Sequence, residues 1–357
     1  VLLLLSVGAR LLIRDALCAS ITNNKRDTPL SHAKLDKYLP PQFDRSYYQP
    51  RYWSTWLLLS FFRVFARMPI GVNLAVGRFI GTLFFYLAPS RKRVAQTNID
   101  LCFPELDTQA RARIVRSSIE ACGVSVMESA MALWGAPGKF RQCSRIEGLE
   151  NIAAAQARGQ GVLLVGCHFT TMDPAGRIIC DHVKLDILYR KDPNPLLAYA
   201  LTSARESYIH RAIVRNDSRQ LIRNLREGAV VWYTPDQDFG LKFSVFAPFF
   251  GIDATTVTTA RIARLGQAAV IPFFHYRDEQ GCYHLCIGTE VPDFPQGDDV
   301  ADATCINKVI EDLIRQKPEQ YLWVHRRFKT RPEGQPNLYP KKAKKNNRLA
   351  GKPNKIR

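Results

Sequence analysis

The stretch Gly161–Cys180, GVLLVGCHFTTMDPAGRIIC, constrains the fold more than any other part of the chain. Val162–Val165 is a short apolar run bounded by glycines, which reads as a strand buried on both faces. It stops at Gly166-Cys167-His168, a polar turn follows, and Asp173-Pro174 opens a segment with helical apolar spacing. Asp before Pro is a helix-start signal, with Asp as N-cap and Pro at the first helical position. His168 is therefore expected where a strand ends, and Asp173 where the next helix begins. Five residues apart on one helix they would not face each other, but a turn between them can fold the carboxylate back onto the imidazole. A histidine oriented in this way, with an unperturbed pKa of about 6.5, can take a proton from a hydroxyl near neutral pH. The plain alternatives are Asp173 as a cap only and His168 as a loop histidine.

The rest of the chain repeats the strand–helix unit. Apolar runs at Val162–Val165, Leu185–Tyr189, Ala229–Tyr233, Ala269–Phe274, Tyr283–Ile287 and Tyr321–Val324 read as strands. Helical patterns lie between most of them, at Pro174–Val183, Pro195–Ser207, Arg219–Glu227, Thr256–Leu265 and Asp302–Gln316. This alternation predicts an α/β fold, a mainly parallel sheet flanked by helices. Upstream, Ala95–Trp134 is helical in pattern, broken near Pro104 and capped by Asp107 or Thr108.

Before the α/β region lie two hydrophobic runs, Trp53–Phe62 and Gly71–Ala88, flanked by Arg45 and Arg51 on one side and by Arg91, Lys92 and Arg93 on the other. With Tyr52, Trp53 and Trp56 as an aromatic belt, they read as an N-terminal membrane-associated helical segment, one tilted span or an interfacial anchor. A buried helix pair is the alternative. The expected divisions are a poorly ordered or extension segment at 1–48, a membrane-anchoring region at 49–90, the α/β domain at 91–340 and a basic tail at 341–357.

The formal net charge of +18 calls for anionic partners: an acidic protein, an anionic lipid surface or nucleic acid. Nine cysteines at irregular spacings, with no CxxC, read as reduced and mostly core. The histidines show no ligand spacing, so no metal site is expected. In parallel sheets ligands bind beyond the carboxyl ends of the strands. There the strands deliver His168, then Arg190 and Lys191, then Asp236 and Asp238, then His275. Arg190 and Asp236 join His168 and Asp173 as the residues expected at the site. Phe243–Phe250, FSVFAPFF, is either a core strand or the wall of an acyl-chain groove.

Several motifs together resemble one family. QPRYWSTW (Gln49–Trp56), NIDLCFPEL (Asn98–Leu106), HFTTMD, GAVVWYTPDQDFG (Gly228–Gly240) and PEQYLWVHRRFKTRPEG (Pro318–Gly334) are similar to the late acyltransferases of lipid A biosynthesis, in the lysophospholipid-acyltransferase-like superfamily. The resemblance runs from about Gln49 to Tyr339. It implies an inner-membrane enzyme with its site on the cytoplasmic side. It implies transfer of a fatty acyl group from acyl carrier protein to a hydroxyl of a Kdo-bearing lipid A precursor. No cofactor is implied, since the acyl carrier thioester is a substrate. By position, His168 carries over as general base, Asp173 as the residue orienting it, and Arg190 and Asp236 as substrate-binding residues. The departure is at Asp173, where many lauroyl-type members carry Glu. Two other readings compete: a glycerolipid acyltransferase acting on a lysophospholipid, and a non-catalytic membrane-tethered protein using Arg326, Arg327, Phe328, Lys329 and Arg331 on nucleic acid or lipid. No nucleic-acid fold signature accompanies that cluster, so nucleic acid is not the expected partner.

Overall fold

The computed structural model describes residues 42–339 except 190, 191, 216 and 258. The segments expected to be an extension and a basic tail, and the site candidates Arg190 and Lys191, lie largely or wholly outside the described residues.

Strand β2 (Gly161–Val165) has every residue buried and no polar side chain, so it belongs in the middle of a sheet covered on both faces. It lies there. With β1 (Ser144–Glu147), β3 (Leu185–Tyr189), β4 (Arg211–Val214), β5 (Val230–Tyr233), β8 (Ala268–Arg277) and β9 (Tyr283–Ile287) it forms a seven-stranded sheet, ordered β1-β9-β8-β2-β5-β3-β4. From β8 to β4 all neighbours are parallel. Strand β9 turns back antiparallel to β8, and β1 runs parallel to β9. The architecture is thus mixed α/β with a mostly parallel sheet. The remaining pair, β6 (Ser244–Phe249) and β7 (Ile252–Val257), is a separate antiparallel hairpin. Its turn is Phe250-Gly251, both at positive φ, the conformation a tight hairpin requires.

Helices cover both faces. On one lie α5 (Leu149–Ala157) and α6 (Met172–Ile179), burying Ile152, Ala155, Ala175 and Ile178 with Val162, Leu164 and Trp232. On the other, α8 (Ser218–Arg226), α9 (Thr259–Gly266) and α10 (Asp299–Gln316) bury Leu225, Ala263 and Ile310 with Leu163 and Val231. Helix α7 (Pro195–Glu206) starts at Pro195 and is capped by the Asn194 side chain.

Four helices precede the sheet: α1 (Trp53–Arg67), α2 (Ile70–Leu87), α3 (Pro89–Cys102) and α4 (Thr108–Trp134). Asp107 caps α4, accepting from the Ala110 amide at 2.7 Å. Helix α4 gives Val115 and Ile119 to one core and Met131 and Ala132 to the other, so it bridges the two layers. Helix α2 lies along it where small residues meet. A Cβ on Gly123 would stand 2.1 Å from the Gly81 amide nitrogen, and one on Gly77 2.5 Å from the Val124 Cα. Only glycine permits that approach. The outer stripes of the hairpin, Trp53, Leu57 and Val64 on α1 and Phe79, Leu83 and Tyr86 on α2, stay exposed. Among the described residues α2 is the one helix long and apolar enough to cross a membrane. With 22% of it buried, it is not a core helix.

Three expectations need correction. Tyr321–Val324 is no strand: it makes one isolated bridge, Tyr321 with Phe169, and its amides turn to local carbonyls and to the His168 carbonyl. The helix expected from Thr256 begins at Thr259, because the β-branched Thr255, Thr256 and Val257 complete β7. The cysteines are not all reduced: Cys143 and Cys282 form a disulfide. The parallel register Ser144–Tyr283 sets the residues just before β1 and β9 side by side, with Cα atoms 4.5 Å apart.

The glycine contact gives a direct test. Gly123→Leu should force α2 off α4 and destabilise the protein by about 1–3 kcal/mol or more. Gly71→Ala, whose Cβ would meet nothing within 4 Å, should leave thermal unfolding in detergent unchanged.

Candidate active site

The site starts from a register. In the parallel pair β2–β5, Val165 stands opposite Tyr233. Three residues beyond each come His168 and Asp236, and the two meet. The His168 ring Nδ1 lies 2.6 Å from Asp236 Oδ1, and the His168 main-chain N–H donates to Oδ2 at 2.9 Å. The His168 carbonyl accepts from the Leu322 amide at 3.0 Å, so the residue is pinned on both sides of its Cα. Gly166 makes the exit from β2 possible: a Cβ there would stand 2.9 Å from the Phe273 carbonyl and 3.0 Å from the Trp232 indole nitrogen.

Asp236 has no solvent exposure. Burial alone would raise its pKa, but the charge and hydrogen bonds of His168, with the Tyr321 hydroxyl, outweigh it and bring the carboxyl down to about 2. It is ionised at neutral pH and can only accept. The His168 proton therefore sits on Nδ1 and Nε2 carries the lone pair, on a side chain that is 23% exposed.

Asp173 does not take that place. Helix α6 starts at Met172, after Thr171, so Asp173 lies inside the first turn rather than capping it. From there its carboxylate reaches across to two other helices. Oδ2 accepts from the Ser129 hydroxyl of α4 at 2.5 Å, and Oδ1 from Arg205 of α7 at 2.9 Å. Burial works against the charged form here too, and Arg205 and Ser129 together still hold the carboxyl below its usual range. His168 meanwhile has its Nδ1 satisfied by Asp236.

His275 was expected at a strand end. Strand β8 instead runs five residues past Pro272, the partner of Val165, so His275 lies within it, fully buried. Its Nδ1 is 2.8 Å from the Thr171 hydroxyl, and burial lowers its pKa to about 3, which keeps it neutral. Asp238 accepts from Thr255 and Thr330. The carbonyl beside it at Gln237 accepts from Arg327, and the Asp238 amide donates to His325 Nε2 at 3.2 Å.

Sequence reasoning missed Ser129, Arg205, Thr171 and His325. Thr171 and His325 carried a signal, through their places in HFTTMD and in the long C-terminal motif; Ser129 and Arg205 carried none. Arg327 and Phe328 are buried, not part of a solvated basic patch, and Arg327 donates to Thr255 and Thr256. The turn amides of Phe169, Thr170 and Met172 donate to the carbonyls of Cys167, Gln320 and Phe169. Cys167 is fully buried. Desolvation, reinforced by the Asp236 charge, pushes its thiol well above the ordinary range, so it is protonated at neutral pH. Of the apolar stretch at Phe243–Phe250, Ala247 and Phe249 are buried and Phe249 packs near Phe328, while Phe243 is exposed.

A histidine tied to a buried carboxylate at parallel strand ends is an arrangement chemically able to take a proton from a hydroxyl. Comparison with known proteins makes the class specific. The chain belongs to the bacterial lipid A biosynthesis acyltransferases, whose family model matches residues 40–330. It is 35% identical over 302 residues to the lipid A biosynthesis lauroyltransferase of Escherichia coli K12, covering 84% of this chain and 99% of that one. The palmitoleoyltransferase of the same organism matches at 35% over 302 residues, 84% of this chain and 98% of that one. Its myristoyltransferase matches at 31% over 314 residues, 85% and 95%. The protein is an acyltransferase of lipid A biosynthesis.

The depressed Asp236 pKa makes a stability prediction. A carboxyl with a folded pKa near 2 and an ordinary value of 3.8 stabilises the fold above about pH 4 and loses that contribution as pH falls toward 2. Asp236→Asn should therefore cost about 2 kcal/mol at pH 7. The gap to the parent protein should close in denaturation curves recorded at progressively lower pH.

Proposed function

We propose that the protein transfers a fatty acyl group from the thioester of acyl carrier protein to a hydroxyl on an acyl chain of a Kdo-bearing lipid A precursor, with His168 as general base. The His168–Asp236 pair carries this reading. The acceptor hydroxyl gives its proton to Nε2 as its oxygen attacks the thioester carbonyl. The charge that develops on the imidazole is stabilised by the Asp236 carboxylate. Collapse of the tetrahedral intermediate expels the carrier thiolate, which takes the proton back from Nε2. Asp236 thus serves as the orienting group. Asp173 acts one step removed, holding the start of α6 against α4 and α7 through Ser129 and Arg205. Arg190 is proposed as an anion contact for substrate. Direct transfer fits a protonated, buried Cys167 better than an acyl-cysteine.

The exposed apolar stripes of α1 and α2, with Arg63, Arg67 and Arg78 among them and Arg51 just before α1, suit a bilayer surface with cationic heads at the interface. The proposed location is the inner membrane with the site on the cytoplasmic side, where a soluble carrier protein and a membrane-held acceptor meet.

The test is acyl transfer by membranes carrying the protein, given labelled acyl carrier protein thioesters and a Kdo-bearing precursor. His168→Ala should lose about 10²–10⁴-fold with the fold intact. Cys167→Ala should retain most activity. Equal transfer by His168→Ala and the parent would remove His168 from the mechanism. Transfer to lysophospholipid alone would replace the acceptor.

A further inference from the structure

Helices α8 and α9 each bury one stripe in the core. On α8 the buried residues are Leu221, Asn224 and Leu225; on α9 they are Thr259, Ala260, Ala263 and Gly266. The opposite stripe is made of arginine. Arg219, Arg223 and Arg226 recur at helical spacing along α8, Arg261 and Arg264 along α9, and all are exposed. Neither helix carries an acidic residue. Of the acids at the ends of α8, Asp217 is its cap and Glu227 is paired with Arg211. Arg226 donates to the Leu265 carbonyl at 2.7 Å, which fixes the two helices into one surface. A solvated helix face ordinarily mixes both signs. Uncompensated charge on adjacent helices raises the local potential and attracts an oppositely charged partner.

The face also adjoins the site. Strand β4 is parallel to β3, β5 and β2, so α8, capped just after it, begins at the same strand edge as His168 and Asp236. Arg215, between β4 and α8, stands 5.0 Å over the ring of Phe239, three residues after Asp236. Arg215 thus stands between the Asp236 loop and the start of α8. The surface is chemically unlike the α1–α2 hairpin. Leu265 is the one large apolar side chain on these helices that is exposed, so there is little to insert into lipid. The partner it fits is an acidic protein surface, not a bilayer.

We infer that the arginine face of α8 and α9 is the docking surface for the acidic carrier protein that delivers the acyl thioester to His168. This rests on the proposed carrier-borne donor. Charges at the rim of such an encounter set association rate and salt dependence more than chemistry.

The test uses the full-length protein in detergent and fluorescently labelled acyl carrier protein, with binding followed by anisotropy at low and high salt. The parent should bind and weaken as salt rises. The variant Arg219→Glu/Arg223→Glu/Arg261→Glu should bind about tenfold or more weakly. Its turnover of a neutral acyl-pantetheine thioester should stay at the parent level, and that activity also reports an intact fold. Arg113→Glu, on an exposed turn of α4, should bind as the parent does. Unchanged binding by the triple variant, or no binding of the carrier by the parent, overturns the inference. So does a loss confined to anionic phospholipid vesicles, which would make the face a membrane surface. Arginine-dependent binding without transfer from the carrier thioester would sink the donor reading and leave the docking face standing. Transfer from the carrier that the triple variant performs with unchanged KM would do the reverse.

Discussion

The site depends on the parallel pairing of β2 with β5. Neither His168 nor Asp236 has a neighbour in sequence that could hold it. They meet because Val165 pairs with Tyr233 and the two chains then travel the same number of residues before each delivers its side chain. A one-residue slip would carry the carboxylate to the other face. The wholly apolar strands β2 and β5 resist such a slip, since it would also re-sort two packed cores. A fully buried carboxylate is expensive in isolation. Here it is satisfied twice by one residue, through ring and main chain, and so remains ionised where burial alone would neutralise it.

Around this pair the fold places a second layer of buried charge. Asp173 is tied to Arg205 and Ser129, and Glu128, next in the chain to Ser129, pairs with Arg277 of β8 and accepts from the Tyr283 hydroxyl at 2.9 Å. Adjacent residues of α4 thereby clamp α6 on one side and the β8–β9 hairpin on the other. A buried pair of this kind adds little net stability over apolar packing, but losing one partner strands the other charge. Its effect is geometric: the start of α6, and with it the turn from His168 to Thr171, is held relative to α4.

The alternation of apolar runs and helical patterns made the α/β fold legible, and the central strands β2, β3, β5 and β9 lay where their apolar runs ended. What escaped were β7, whose end was read as helix, and the short strands with mixed faces, β1 and β4, whose Ser144, Arg145 and Arg211 give no apolar signal. The disulfide escaped too, because its cysteines are 139 residues apart and meet only through the β1–β9 register. At the site, the strand-end argument placed His168 and Asp236 on one rim, where they meet, whereas the spacing argument gave the imidazole Asp173 as partner. Five-residue spacing made Asp173 the natural candidate, and Asp-Pro made it a cap. Whether β2 neighbours β5 is a property of strand order, which no local pattern encodes. Ser129 and Arg205 were invisible for the same reason, being brought to Asp173 by helix packing alone.

Helix α4 joins the α1–α2 helix pair to the turn that carries His168. Its Gly123 receives α2 at a distance no side chain would allow, and Ser129 lies six residues further on, about 9 Å along the same helix. The hairpin with the exposed apolar stripes and the turn that carries His168 are thus mounted on one rigid element. The Gly123 contact and the Ser129–Asp173 hydrogen bond both lie on this one helix, so the position of the hairpin fixes that of the turn. In the proposed function the acceptor is held in a bilayer and would reach His168 within that plane rather than by free diffusion in three dimensions. Under the proposed function, a fixed position of His168 relative to that hairpin would supply the positioning that other enzymes obtain by enclosing their substrate.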